Sequence, residues 1–333
     1  MNMIAVKYIS VVCCILNYLP CHTTPASHHI GKSLHQHERE EDGAYSPRDH
    51  AHVVDGVHHS EFDHEAILGS AKEAEEFDHL SPEEAKRRLA ILLKKMDLNS
   101  DGFVSRNELH AWILRSLSML SEEESEDRFE DADENEDGVV TWQEYISDSY
   151  GIQDSDEEDN EIDDNSEEKL ISDDKIMFRA ADGNGDGVLN KQEFLKFSHP
   201  EEHPEMLPVV LKQTLDEKDA NKDGFIDFQE FVGERGAHHD KEWLLVEKEK
   251  FDHEFDKDKD GRLNPAEILA WIVPSNDEVA SEEVSHLFAS SDGDHDDLLS
   301  YGEVLEHHEV FVGSEATDYG DHLHNIHTFQ DEL

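Results

Sequence analysis

The chain has 333 residues, with 82 acidic against 28 basic side chains and a formal net charge of −54. A polyanion of that density is repelled by nucleic-acid phosphates and by anionic membrane surfaces, which excludes nucleic-acid binding and makes cations the natural partners. A hydrophobic content of 36% and a mean hydropathy of −0.74 exclude one large core and favour small units separated by solvated segments.

Residues 1–26 read as a secretory signal peptide. Lys7 supplies a weak positive start, and Ile9 to Leu19 is apolar but too short to span a bilayer. Cleavage after Ala26 obeys the small-residue rule, with cleavage after Cys21 as the alternative. Cys13, Cys14 and Cys21 all lie in this segment, so the mature chain is expected to have no disulfide. No further apolar run approaches the ~20 residues of a spanning helix, so no membrane insertion is expected after cleavage. Residues 27–80 are rich in histidine (His28, His29, His35, His37, His58 and His59 among them) and are expected to be largely disordered.

Six twelve-residue windows then share one pattern: Asp97 to Glu108, Asp133 to Glu144, Asp182 to Glu193, Asp219 to Glu230, Asp256 to Glu267, and Asp292 to Glu303. Each has Asp at position 1, Asn or Asp at 3, Asp at 5, an aliphatic residue at 8 and Glu at 12. Five carry Gly at position 6 (Gly102, Gly138, Gly187, Gly224 and Gly261), and the sixth carries Asp297. This is the spacing of the EF-hand calcium loop. Ca²⁺ takes about six to eight hard oxygens in flexible geometry: side chains at 1, 3 and 5, the backbone carbonyl at 7 and two oxygens of the Glu at 12. Position 6 turns sharply through positive φ, which glycine allows without steric cost.

The expected ligands follow loop by loop. Loop one offers Asp97, Asn99, Asp101, Phe103 and Glu108, and loop two Asp133, Asn135, Asp137, Val139 and Glu144. Loop three offers Asp182, Asn184, Asp186, Val188 and Glu193, and loop four Asp219, Asn221, Asp223, Phe225 and Glu230. Loop five offers Asp256, Asp258, Asp260, Arg262 and Glu267, and loop six Asp292, Asp294, Asp296, Leu298 and Glu303. Phe103, Val139, Val188, Phe225, Arg262 and Leu298 would serve through their carbonyls. Loop five, with Asp258 at position 3 and Gly261 in place, reads as the strongest. Loop six should be weakened by Asp297, and loop three by the ordering of its extra glycines, Gly183 and Gly185.

The flanks read as helices. Ser81-Pro82-Glu83-Glu84 has the form of a capping box, followed by Leu89, Leu92, Leu93 and Met96 at helical spacing, and Ser121 with Glu124 repeats the device before loop two. Apolar residues such as Leu109, Trp112 and Ile113, or Ile268, Trp271 and Ile272, mark the exiting helices. Loop starts are separated by 36, 49, 37, 37 and 36 residues, and the long second gap sets loops one and two apart. The expected fold is therefore all-α: six helix–loop–helix hands in three modules, 81–147 (loops one and two), 171–235 (three and four) and 236–310 (five and six). Residues 148–170 are expected to be an acidic linker, with eleven acids and no base between 147 and 168, and residues 311–333 form a tail.

His199-Pro-Glu-Glu-His203 matches a zinc-protease pattern that needs an unbroken helix, and Pro200 interrupts it. Nothing else in the sequence supports an enzyme. The chain ends Gln330-Asp331-Glu332-Leu333, close to the four-residue signal that a retrieval receptor reads in the endoplasmic reticulum.

Signal peptide, six calcium loops and a terminal Asp-Glu-Leu together resemble the reticulocalbin/calumenin (CREC) family of the secretory pathway. Glu242-Trp243-Leu244-Leu245-Val246-Glu247-Lys248, Trp271-Ile272-Val273-Pro274 and Ser314-Glu315-Ala316-Thr317-Asp318-Tyr319-Gly320 carry the resemblance through the C-terminal half. It implies a non-enzymatic, low-affinity Ca²⁺ binder of the endoplasmic reticulum lumen that assists secretory client proteins. The alternative is a sensor that opens on Ca²⁺ and grips one partner. Sensors of that kind use methionine-rich grooves, and this mature chain has only Met96, Met119, Met177 and Met206.

Overall fold

The computed structural model describes residues 39–152, apart from 41, 50, 51, 55 and 56, and residues 165–313. The signal segment with its cysteines, His28 to His37, most of the acidic linker and the tail from Ser314 lie outside the described residues.

The N-terminal segment contributes a small hairpin, β1 (Val53–Val54) with β2 (Val57–His58), and two helices, α1 (Glu61–Leu68) and α2 (Ala71–Asp78). Hand one follows as α3 (Pro82–Met96), β3 (Phe103–Ser105) and α4 (Arg106–Ala132). Hand two shares α4 and adds β4 (Val140–Thr141) and α5 (Trp142–Tyr150). Hand three is α6 (Asn165–Ala181), β5 (Val188–Leu189) and α7 (Lys191–Ser198). After a 3₁₀ turn at Pro200–Glu202, hand four is α8 (Leu207–Lys218), β6 (Ile226–Asp227) and α9 (Phe228–Val232). A short α10 (Arg235–His238) leads to hand five: α11 (Lys241–Lys250), a π turn at Phe251–Phe255, β7 (Arg262–Leu263) and α12 (Pro265–Ile272). Hand six is α13 (Asn276–Ser291), β8 (Leu298–Ser300) and α14 (Tyr301–Glu306), closed by α15 (His308–Val312).

The position-8 residues sit in short antiparallel strands as the spacing requires, but the loops pair differently from the sequence expectation. Val104 faces Leu299, Val140 faces Leu189 and Ile226 faces Leu263, so loop one pairs with six, two with three and four with five. All six are buried, each contributing roughly 1.5–3 kcal/mol by leaving water. The reason for the change is α4. Its 27 residues form one uninterrupted helix about 40 Å long, which holds loops one and two at opposite ends and prevents their pairing.

Ser121 is therefore not the cap that its sequence context suggests. It is buried mid-helix, where its hydroxyl donates to the Leu117 carbonyl at 3.2 Å and to Glu202 at 2.8 Å. Ser81 does precede α3, with Pro82 in the first turn, but its side chain makes no capping bond. The Glu84 carboxylate that should complete the box is taken by Arg87 and Arg88.

Three loop pairs are built over two cores rather than three modules. Hands one and six share the first core with α1, α2 and α15, around Leu89, Leu93, Ile113, Leu287 and Phe311. Hands two to five share the second, around Phe129, Tyr145, Phe194, Phe231 and Phe251. The break at Val273-Pro274 lets α12 end in one core and α13 begin in the other. Buried Asp174 of α6 accepts the hydroxyls of Tyr145 (2.7 Å) and Tyr150 (2.6 Å), tying hand two to hand three.

The expectation of a largely disordered 27–80 fails for its described part. Phe62, Ala66, Ile67, Ala74 and Phe77 are buried in the first core, and that spacing in the sequence is helical. Further upstream, the Tyr45 amide donates to Ile272, Asp42 accepts from the Trp271 indole, and Arg48 reaches Ser121, Glu124 and Glu202. The acidic linker is also shorter than expected, since α5 runs to Tyr150 and α6 begins at Asn165.

Candidate calcium centres

Each loop begins where a helix ends. The position-1 Asp follows the last turn of the entering helix and is largely buried in five of the six loops: Asp97, Asp133, Asp219, Asp256 and Asp292. Position 9 is the N-cap of the exiting helix and position 12 is its third residue, so the bidentate ligand is also half of a capping box. All six exiting helices show both halves of that box, from Ser105, Thr141, Asn190, Asp227, Asn264 and Ser300. One glutamate per loop thus starts a helix and faces the loop interior.

The internal wiring repeats six times. The position-6 amide donates to the position-1 carboxylate at 2.8–2.9 Å from each glycine, and at 3.2 Å from Asp297. The position-7 amide donates to the position-5 carboxylate at 2.9–3.1 Å, as in Phe103 to Asp101 and Arg262 to Asp260. The position-9 amide donates to the second oxygen of the position-12 Glu, whose first oxygen faces the loop start. Carboxylates at 1, 5 and 12 are thereby aimed inward.

Those bonds set the charge. Burial pushes the Asp97 carboxyl up, but amides of Gly102 and neighbours and the Tyr301 hydroxyl hold it below its ordinary value. Glu108 is lowered against burial in the same way, by Ser105, Asn99 and Leu98, and Glu303 by Ser300. Hard oxygens of this number and spacing fit Ca²⁺, with no soft donor among the side chains.

Position 3 separates the loops. In loop five Asp256, Asp258 and Glu267, and in loop six Asp292, Asp294 and Glu303, each place one oxygen within 4.8 Å of the others. Loops one to four have Asn at position 3. Asn99 and Asn184 use their side-chain oxygens on the position-5 amide, and Asn135 turns its amide nitrogen to Glu144 at 2.6 Å. The remaining expected ligands occupy the positions their spacing assigns: Asp137, Asp186, Asp223 and Asp296 at position 5, with Asn221 at position 3 beside Glu230.

Backbone conformation bears on both expectations about loop strength. Position 4 has positive φ in every loop: Ser100, Glu136, Lys222, Lys259 and His295 lie at 57–61°, and Gly185 at 75°. Gly185 therefore occupies a place whose left-handed backbone glycine adopts without strain. Asp297 adopts the positive φ of position 6, but at 62° against 81–91° for the five glycines. Its Cβ draws the backbone toward the ordinary left-handed region, and the longer amide bond to Asp292 is the result.

The pairing also brings in residues that no local pattern marks. Arg106, on the exiting helix of hand one, forks onto Asp297 at 3.1 and 3.2 Å and lies 4.1 Å over the Phe288 ring. Tyr301 of hand six donates to ligand Asp97 of loop one at 3.0 Å. Between loops four and five, Arg262 stacks 3.8 Å over Phe225 and also touches Asp260 at 3.3 Å, which places a cation beside a ligand of loop five.

An EF-hand domain pair model matches residues 86–149 and 171–234, which covers loops one to four. Over most of its length the chain is similar to reticulocalbin-2 from Crotalus adamanteus, at 41% identity across 84% of this chain and 93% of the relative. The chain belongs to the reticulocalbin family. Rat reticulocalbin-2 (Rattus norvegicus) is 40% identical across 86% and 92% of the two chains, and mouse reticulocalbin-3 (Mus musculus) 36% across 87% and 94%. As a member of the reticulocalbins it is a calcium-binding EF-hand protein and not an enzyme. The His199–His203 pattern agrees: Pro200–Glu202 is a 3₁₀ turn, so the two imidazoles never share a helical face. No described helix is long and apolar enough to cross a membrane.

Proposed function

We propose that this reticulocalbin is a low-affinity, multi-site Ca²⁺ buffer of the endoplasmic reticulum lumen that assists secretory client proteins while loaded. The ligands would be the thirty loop residues named above, five to a loop. The observation that carries the buffer reading is the placement of methionine. Met96, Met177 and Met206 are each about 1% exposed inside the two cores, and among the described methionines only Met119 reaches solvent. A Ca²⁺ sensor needs an adaptable methionine-rich groove to grip its target, and these buried side chains offer none. The family membership and the Gln-Asp-Glu-Leu ending support the lumen and a retrieval receptor as partner.

The test has two arms. Calorimetric titration should find six Ca²⁺ equivalents, and the hydrodynamic radius should fall between EDTA and millimolar Ca²⁺ as carboxylate repulsion is neutralised. Affinity isolation from lumenal extract, with and without Ca²⁺, addresses the partner. A single stoichiometric client held only with Ca²⁺ would replace the buffer reading by the adapter reading.

A further inference from the structure

One cluster of metal-ligating side chains belongs to none of the loops. Asp63 of α1 and Glu283 of α13 are buried side by side, at 0% and 1% exposure, in the first core. His286 lies one turn beyond Glu283, and His52 arrives from the N-terminal segment just before β1. The His52 Nε2 is 2.7 Å from Asp63 Oδ1 and 4.0 Å from Glu283 Oε2, and His286 Nε2 is 3.6 Å from Asp63 Oδ2. One donor atom each from His52, Asp63 and His286 lies within 4.8 Å of the other two. The two imidazoles meet edge to face, 5.6 Å between centroids.

The chemistry of this set differs from that of the loops. Ca²⁺ and Mg²⁺ take oxygen, whereas two imidazole nitrogens with carboxylate oxygens suit Zn²⁺ and its neighbours. Glu283 and His286 stand three residues apart on one helix face, the Glu-x-x-His arrangement by which helices direct metal ligands into a bundle. Around Zn²⁺, with ligands at about 2.0–2.2 Å, neighbouring donors of a tetrahedron stand roughly 3.3 Å apart, and the two imidazole–Asp63 separations here, 2.7 and 3.6 Å, bracket that value.

We propose that His52, Asp63 and His286, with Glu283 alongside, form a site for one Zn²⁺ ion that is separate from the six Ca²⁺ loops. The ion clamps the N-terminal segment onto α1 and onto α13, the helix that enters loop six. It gives a chain with no cysteine among its described residues a metal staple between its N-terminal and C-terminal parts.

The experiment uses the full mature chain with the loops saturated by excess Ca²⁺. His28, His29, His35 and His37 are replaced by alanine, so that the upstream histidines cannot supply the site. Calorimetry should find one Zn²⁺ equivalent. Co²⁺ in its place should give the intense visible absorption of a four-coordinate site, in contrast to the weak absorption of a six-coordinate oxygen site. Adding His52→Ala or His286→Ala should lower Zn²⁺ affinity by at least about tenfold while leaving six Ca²⁺ equivalents. No Zn²⁺ equivalent, only weak Co²⁺ absorption, or undiminished Zn²⁺ binding in the His52→Ala/His286→Ala double variant would each overturn the proposal. The Co²⁺ spectrum decides without the core variants, should either fail to fold. A separate Ca²⁺ titration of the same proteins, which counts the loop sites, keeps this result apart from that of the buffer reading.

Discussion

Loops four and five and loops one and six use the same twelve positions and the same register, yet they close by very different routes. The first pair is joined through 37 residues of chain; the second meets across 195. Loop-closure entropy makes the longer route about 1.5 kcal/mol more costly before any contact forms. The long-range pair also carries the less favourable backbone, with Asp297 where its partners have glycine. Its compensation is local: three paired residues per strand instead of two, the Arg106 fork onto Asp297, and the Tyr301 bond to Asp97. A pair that is hard to bring together is thus held by cross-loop contacts. The short-range pair has the Arg262–Phe225 stack across its loops, and ring contacts of Phe228 and Phe231 with Phe251 join its two hands.

That contrast can be broken most forcefully at α4, whose continuity forces loop one toward loop six. Glu122 is exposed on the helix. Glu122→Pro should cost about 3 kcal/mol or more, read as a lowered urea midpoint, because proline removes an interior hydrogen bond and clashes with the preceding turn. Were a new helix to start after Ser121, the same proline would stand in its first position, and stability would hold.

A smaller effect is expected from Tyr301→Phe. Loss of the hydroxyl bond to Asp97 should cost about 1 kcal/mol in EDTA, measured by urea unfolding, with the strand contacts of loops four and five unchanged by hydrogen exchange. Asp297→Gly should have the smallest effect, because relief of the left-handed backbone is set against loss of the Arg106 pair. Ca²⁺ titration should show loop six strengthened by no more than about fivefold, under ~1 kcal/mol. A fall in affinity would mean that Arg106 matters more than φ.

What the sequence made legible was everything fixed within a dozen residues. Asp at 1 and 5, Glu at 12 and the turn at 6 specify a loop, its ligands and the cap of the next helix, because all those contacts are local. Loop pairing is not local. Ser121 and Glu124 form a sound capping pattern, yet burial against Glu202 and Arg48 keeps the helix running through them. Phe62, Ile67 and Phe77 have the helical spacing of α1 and α2, but histidine-rich sequence around them has the composition of a disordered segment. Arg106 and Tyr301 had no signal at all, since their partners lie some 190 to 200 residues away.

The strand of loop one has a further consequence during synthesis. Val104 leaves the ribosome 195 residues ahead of Leu299, its strand partner. At translation rates of about 5–20 residues per second, that interval is roughly 10–40 s. For that time the first hand made presents an open strand edge, and the last hand made is the one that covers it.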